Sequence, residues 1–323
     1  MKETKEIKSH RSSALGRSAR DYSSTRSSLA EIKIATHNKH FHPDDVFAVA
    51  SLSILIKEPF KVIRTRNPLI LDGADYVVDV GGEYDEEKNR FDHHQKGGAG
   101  ERENGIPYAS FGLVWKKYGV SICDSEEIAR MIEKKIVEPT DATDNGVGLV
   151  KPIIDGVYPY SYFNVINSLN PTWKERDLDR DELFMKAVES AKDILLREIE
   201  IACHFILGRE FVEKAFDVAL DKRLIILDNE YSWKEVVNKY KEPLFVIEPN
   251  FDEGTWRVVA VRDDIYSFKN RKNLPKSWGG KKGGEFASET DVSDAVFCHR
   301  NLFIAAAHSK EGAIKMAKLA IEK

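Results

Sequence analysis

The chain has 323 residues, of which 42% are hydrophobic, 10% aromatic and 32% charged, with a formal net charge of -4. That length exceeds one compact core of ordinary size, so two domains are expected, and no apolar run approaches the ~20 residues of a membrane helix, so no membrane partner is expected. The three cysteines, Cys123, Cys203 and Cys298, are far apart and lack CxxC spacing, which argues against a disulfide scaffold or a cysteine zinc knot and for a reducing, cytoplasmic compartment.

Residues 1–30 hold seven Lys or Arg against three Asp or Glu, leaving -8 for the remainder. Eight serines and almost no large apolar side chains leave this segment too little surface to offset its ordering entropy, so it reads as a disordered tail. Its Arg and Ser content keeps organellar or nuclear targeting open. Glu3, Glu6 and Asp21 and the lack of an apolar h-region count against a presequence, and a non-native extension or a misassigned start is an equal alternative.

The folded chain opens with a strand at 32–35 and a turn carrying His37, His40, His42, Asp44 and Asp45. Pro43 starts a helix whose Val46, Phe47, Val49, Ala50, Leu52, Ile54 and Leu55 suit burial on a sheet. Turns at the carboxyl ends of strands in open α/β sheets are where ligands bind. His37, His42 and Asp44 could surround one ion, or the acids could simply complement the helix dipole.

Strands follow at 60–66 and 74–82. Asp79 lies among Val77, Val78 and Val80, a carboxylate at the end of a near-continuous apolar strand of the parallel, doubly covered kind. An ionised acid there requires a cation or a partner. A further short strand delivers Asp92, His93 and His94, the usual ligand mixture for divalent transition ions. A glycine-rich loop at 95–105 and a helix at 109–119 come next, and the strand and helix alternation predicts a doubly wound, mainly parallel sheet. An amphipathic helix from 125 runs into an acidic turn in which Asp141 and Asp144 either complete a metal site or cap the next segment.

A long helix is expected over 177–207 as connector and core, with Cys203 and His204 as packing residues. From 208 onward, strands at 223–228, 243–251 and 255–263 with a helix at 233–240 predict a smaller α+β domain, which places one unit at 31–207, where the strand-end Asp and His suit catalysis, and a second at 208–323, a candidate for substrate binding. The segment 267–286 mixes Lys281, Lys282, Trp278 and paired glycines. It reads either as a polyanion-binding loop with a ring free for base stacking or as a solvated loop. His299, Arg300, His308 and Ser309 precede the last helix, whose N-terminus offers amides to a phosphate.

Taken together, the segments THNKHFHPD, VVDVGGEYD, RFDHHQ, YASFGLVW and DATDNG resemble, in order, the DHH phosphoesterase superfamily and, within it, the melanocyte-proliferating-gene-1 (UPF0160) branch. The similarity runs from Ile32 nearly to the C-terminus. It implies a two-domain α/β fold with two divalent ions in the cleft, Mn²⁺ favoured over Mg²⁺ where imidazoles are numerous. Its implied activity is hydrolysis of phosphate esters or anhydrides, and the branch is associated with 3′-to-5′ exonuclease activity on RNA.

By that resemblance His37, His42, Asp44, Asp79, His93 and Asp144 are metal ligands, with Asp79 bridging and Asp141 as the alternative to Asp144. Asp92 supports the ligands and His94 points toward the substrate phosphate. Two departures stand out: Lys39 where the branch commonly has glycine, and Ala305, Ala306 and Ala307 where it has paired glycines. The leading expectation is a phosphodiesterase acting on single-stranded RNA or a short oligonucleotide, with homo-oligomerisation open. The alternatives are a small-molecule phosphohydrolase, acting on pyrophosphate or a dinucleotide, and a non-catalytic nucleic-acid-binding scaffold.

Overall fold

The computed structural model describes residues 31–323; the basic tail, with the disorder and targeting expected of it, lies outside the described residues. The fold is mixed α/β and carries two mixed sheets. The first is built from β1 (Ile32–Thr36), α1 (Pro43–Leu55), β2 (Phe60–Arg64), α2 (Pro68–Asp72), β3 (Tyr76–Val78), β4 (Tyr84–Asp85) and β5 (Arg90–Phe91). Its strand order is β2-β1-β3-β5-β4, parallel throughout except for β4.

Alternation along the strands separates the two faces. Ile34 and Val78 enter a large core with α1, α3 (Ser110–Cys123) and the long connector helix, whereas Ala35 and Val77 join a small cluster with Leu71, Ala74 and Val80. One face is thus thickly covered by helices. The other carries the single turn or so of α2.

After α3 the chain forms α4 (Glu126–Ile132), a π-helical segment (Glu133–Val137) and α5 (Glu138–Asp144) without a break. The expected acidic turn is therefore the last turn of a helix, with Asp144 as its final residue. Pro139 has no N–H for the carbonyl of Lys135, and the wider π turn just before it accommodates that missing bond.

α6 (Tyr162–Ser168) leads to α7 (Arg180–Val218), a helix of 39 residues that runs well past the expected end at 207. Gly208, about where the second domain is expected to begin, lies within this helix; a Cβ there would meet the Tyr231 ring at 3.2 Å. Phe184, Ala187, Val188, Ala191 and Leu195 of α7 pack on the first core, and Val212 and Phe216 on the second. The one rod joins both cores.

The second sheet comprises β6 (Leu224–Ile226), β7 (Phe245–Asn250), β8 (Thr255–Ala260), β9 (Ala295–Cys298) and β10 (Ile304–Ala307), in the order β6-β7-β8-β10-β9, with only β6 and β7 parallel. α8 (Lys234–Val237) and the end of α7 cover one face. α9 (Gly283–Thr290) and α10 (Lys310–Glu322) cover the other. The small side chains of Ala305 and Ala307 let Ala313, Met316 and Ala317 of α10 lie close against the sheet. Trp278 corrects an expectation: its ring is fully buried, edge-on to Phe286, because an indole in a mostly apolar helix–sheet layer loses more by exposure than a flexible loop gains. It is not available for base stacking.

Cys123 and Cys298 are buried, and burial pushes both thiols up to about 12; Cys203 is half-buried on α7. A thiol reagent at pH 8 should therefore modify Cys203 alone in the native protein and all three after unfolding, as counted by absorbance or mass. Since the unfolded thiols ionise near pH 9 while the folded ones keep their protons to about 12, stability should fall as pH rises above 9.

Candidate metal centre

The winding of the first sheet creates the site. β1 leads through α1 to β2 on one side, and the chain then returns past β1 to β3 on the other. β1 and β3 flank the point where the winding reverses, and the crevice beyond their carboxyl ends is where such sheets receive ligands. His37 immediately follows β1, Asp79 follows β3 and Asp92 follows β5. Because these strands are parallel neighbours, all three side chains arrive at one edge.

Asp79 lies at the centre, 3% exposed. Its Oδ2 is 3.3 Å from His37 Nε2; its Oδ1 is 3.3 Å from His93 Nε2 and 3.4 Å from His94 Nδ1. Ser110 Oγ donates to Oδ1 at 3.4 Å. The backbone of Asp79 is left-handed, φ 55°, a conformation Asp and Asn tolerate better than other side chains. This turns the chain off the strand and presents the carboxylate edgewise to both imidazoles.

The histidines define what the pocket can hold. His37 Nδ1 donates to the Asn38 carbonyl at 3.0 Å, so the neutral ring keeps its lone pair on Nε2. That atom is buried without a hydrogen-bond partner among the described residues and faces Asp45 Oδ2 at 3.1 Å as well as Asp79. His93 Nε2 is likewise buried and unpartnered, with Asp144 Oδ2 at 3.2 Å and Asp44 Oδ2 at 4.0 Å in addition to Asp79. Lone pairs and carboxylate oxygens converging in a largely buried pocket repel one another unless positive charge lies among them. Among the described residues three sets answer to this description, with ligand atoms in each within 4.8 Å of one another: His37, His42 and Asp79; Asp79, His93 and His94; Asp44, His93 and Asp144. These residues fit a metal, and Asp79 and His93 each belong to two sets.

Protons show the same demand. Burial works to lower both imidazoles, but contacts with Asp45 and Asp79 lift His37 to about 10, and contacts with Asp144 and Asp79 lift His93 to about 11. Burial would raise Asp79, yet His37 and His93 hold it below the usual carboxylate range. Asp44 goes the other way, driven up by burial and then by the charges of Asp79 and Asp144. A cation binding here would displace protons.

Other residues hold the ligands in place. Asp44 is fully buried and accepts the amides of Ser110 and Phe111 at 3.0 and 2.8 Å, capping α3 from α1. Asp92 accepts the amides of His93, His94 and Gly82 at 2.8, 3.2 and 2.6 Å and orients His94 through Nδ1 at 2.7 Å. His94 is mostly exposed, with Nε2 left over. Asp141 stands apart from the three ligand sets: it accepts the Gly112 amide at 3.0 Å and pairs with Arg102 Nη2 at 2.8 Å. Burial, opposed by Arg102, raises its carboxyl to about 7.

Three contributors went unread in the sequence. Asp45 faces His37 and also accepts the His42 amide at 2.8 Å; in the first turn of a helix it read only as an acid complementing the dipole. Asn170 grips the turn between the histidines from 129 residues away, accepting from the Phe41 amide at 3.1 Å and donating to its carbonyl at 2.9 Å. Arg64 Nη2 donates to the Lys39 carbonyl at 2.9 Å. Lys39 itself has φ 79°, where glycine is relaxed and a side chain is strained by about 1 kcal/mol. Lys39→Gly should therefore raise stability by roughly 0.5–1 kcal/mol, read as a higher denaturation midpoint with activity retained.

The expected substrate contacts lie in the loops and turns flanking the strands and helices of the second sheet, and none joins the ligand sets. Lys281 is paired with Glu289 at 2.7 Å; Lys282, Arg300 and His308 are exposed; Ser309 Oγ accepts the Gly312 amide at 3.0 Å as the cap of α10.

A family model described as "Uncharacterised protein family (UPF0160)" matches residues 33–321. The chain is 31% identical to the MYG1 protein of Caenorhabditis elegans, over 90% of its own length and 95% of that protein. It is 30% identical to the human protein named MYG1 exonuclease, over 90% of this chain and 86% of that one, and 28% identical to the MYG1 protein of Schizosaccharomyces pombe, over 90% and 98%. No solved structure matches.

Proposed function

Because the chain belongs to the UPF0160 family, we propose that it is a metal-dependent phosphodiesterase that removes nucleotides stepwise from the 3′ end of single-stranded RNA. The observation that carries this reading is Asp79, a buried carboxylate with an unpartnered imidazole nitrogen facing each oxygen. The names of the human, rat and mouse relatives support an exonuclease. Kinship with the DHH phosphoesterases is supported by parallel strands that collect Asp and His at their carboxyl ends.

Two divalent ions, Mn²⁺ before Mg²⁺ given the imidazole content, would be held by His37 and His42 on one side and by Asp44, His93 and Asp144 on the other, with Asp79 facing both groups. They would supply Lewis acidity for a water nucleophile and for the phosphate it attacks. The protein's own part is orientation. Asp92 locks the His94 ring through Nδ1, so that Nε2 can hold a proton against a phosphate or leaving oxygen at the mouth of the crevice. Ser110, through Asp79, and the α3 amides, through Asp44, fix the carboxylates before any ligand arrives.

The test is incubation of the purified protein with Mn²⁺ and end-labelled single strands of RNA and DNA, a dinucleotide and pyrophosphate. Stepwise loss from the 3′ end of RNA, abolished by a chelator, is the expected result. Phosphate release from pyrophosphate alone would overturn it.

A further inference from the structure

A cavity of about 720 Å³ opens along the two helices that carry Asp44 and Asp144, a volume suited to a small organic group. Pro43, between His42 and Asp44 in the chain, lines it from α1 together with Phe47; Thr143, next to Asp144, lines it from α5; Val150 and Tyr158 line it from the segment leading into α6 and Tyr162 from the start of α6. Among the described residues, the only charges lining it, Lys135 and Glu198, neutralise each other at 2.6 Å. Val150 and Tyr158 are about two-thirds exposed, so a ring entering the cavity can reach them from solvent.

We propose that this cavity receives an unpaired nucleobase of the substrate, the base adjoining the phosphate that is cut. The inference rests on the phosphodiesterase reading and deepens it. Charge divides the two regions: the acidic, cation-demanding crevice suits a phosphate, while the neutral, aromatic cavity beside it suits a ring and repels nothing. A base in a duplex is stacked and cannot enter, whereas a single strand can splay one out onto Tyr158 at little cost. This makes strandedness a property of the pocket. It accounts for apolar side chains kept in water next to a site of concentrated charge, and the protein needs no long basic track to select its substrate.

The experiment compares a short single strand bearing a normal terminal base with the same strand bearing an abasic terminus, in wild type, Tyr158→Ala and Tyr158→Phe. The wild type should favour the base by about tenfold in kcat/KM, chiefly through KM, as one base–aromatic stack would give. In Tyr158→Ala the ratio should fall toward one, and Tyr158→Phe should restore it. Equal rates on both substrates in wild type, or an unchanged ratio in Tyr158→Ala, overturns the proposal. A second measurement separates it from the nuclease reading: quenching of 2-aminopurine nucleotide fluorescence with metal chelated. Quenching lost in Tyr158→Ala supports the cavity even if no strand is cut; no quenching in wild type sinks it. Sedimentation that shows a dimer dissociating in Tyr158→Ala would assign the exposed side chains to a second copy of the chain and also overturns it.

Discussion

Asp79→Asn should keep its fold and lose hydrolysis by about a thousandfold or more in kcat/KM, roughly 4 kcal/mol of transition-state stabilisation. Asparagine is the informative replacement because Asp79 has φ 55°, which Asn adopts nearly as readily, whereas Ala would add backbone strain to the chemical effect. The amide keeps the shape and removes the charge that His37 and His93 both face at 3.3 Å. Calorimetric titration with Mn²⁺ should show at least one equivalent lost relative to wild type. Full turnover with unchanged metal stoichiometry would refute the central role given to this side chain.

Gly112→Ala should destabilise the protein by about 3–5 kcal/mol, the usual cost of breaking a buried ion pair. On helix propensity alone the change should stabilise α3 by up to about 1 kcal/mol. The close contact decides otherwise: a Cβ at position 112 would lie 1.8 Å from Asp141 Oδ2 and 2.7 Å from Arg102 Nη2. Asp141 must then move, giving up the Gly112 amide and its Arg102 partner. The damage spreads to the metal centre, because Asp141 and Asp144 share the last turn of α5. Urea denaturation measures the loss. Adding Asp141→Ala should recover part of it by removing the obstruction, since Arg102 still has Glu133 at 2.9 Å; a double variant no more stable than Gly112→Ala would show that the contact is not the cause.

The two predictions probe different supports of one site. Asp79 acts through its charge, at the point where parallel strands end together. Gly112 acts through empty space, letting a helix approach an acid that steadies the turn carrying Asp144. Neither effect can be estimated from residue type, because aspartate is common at helix and strand ends and glycine commonly weakens a helix.

What the sequence determined on its own was local. Strand periods, the Pro43 helix start and the clustering of Asp with His along 37–45, 79 and 92–94 were legible because each depends on neighbours within a turn or a strand. Only the tertiary structure decided which acid does what. Asp141 and Asp144 are three residues apart and alike in sequence, yet burial beside Arg102 makes one a structural partner, and proximity to His93 makes the other a candidate ligand. Trp278 looked free and is buried, and Asp45 looked like an acid complementing a helix dipole and faces His37. The reason is physical: whether a charge or a ring is satisfied depends on groups far away in the chain, and those become neighbours only when the sheets close.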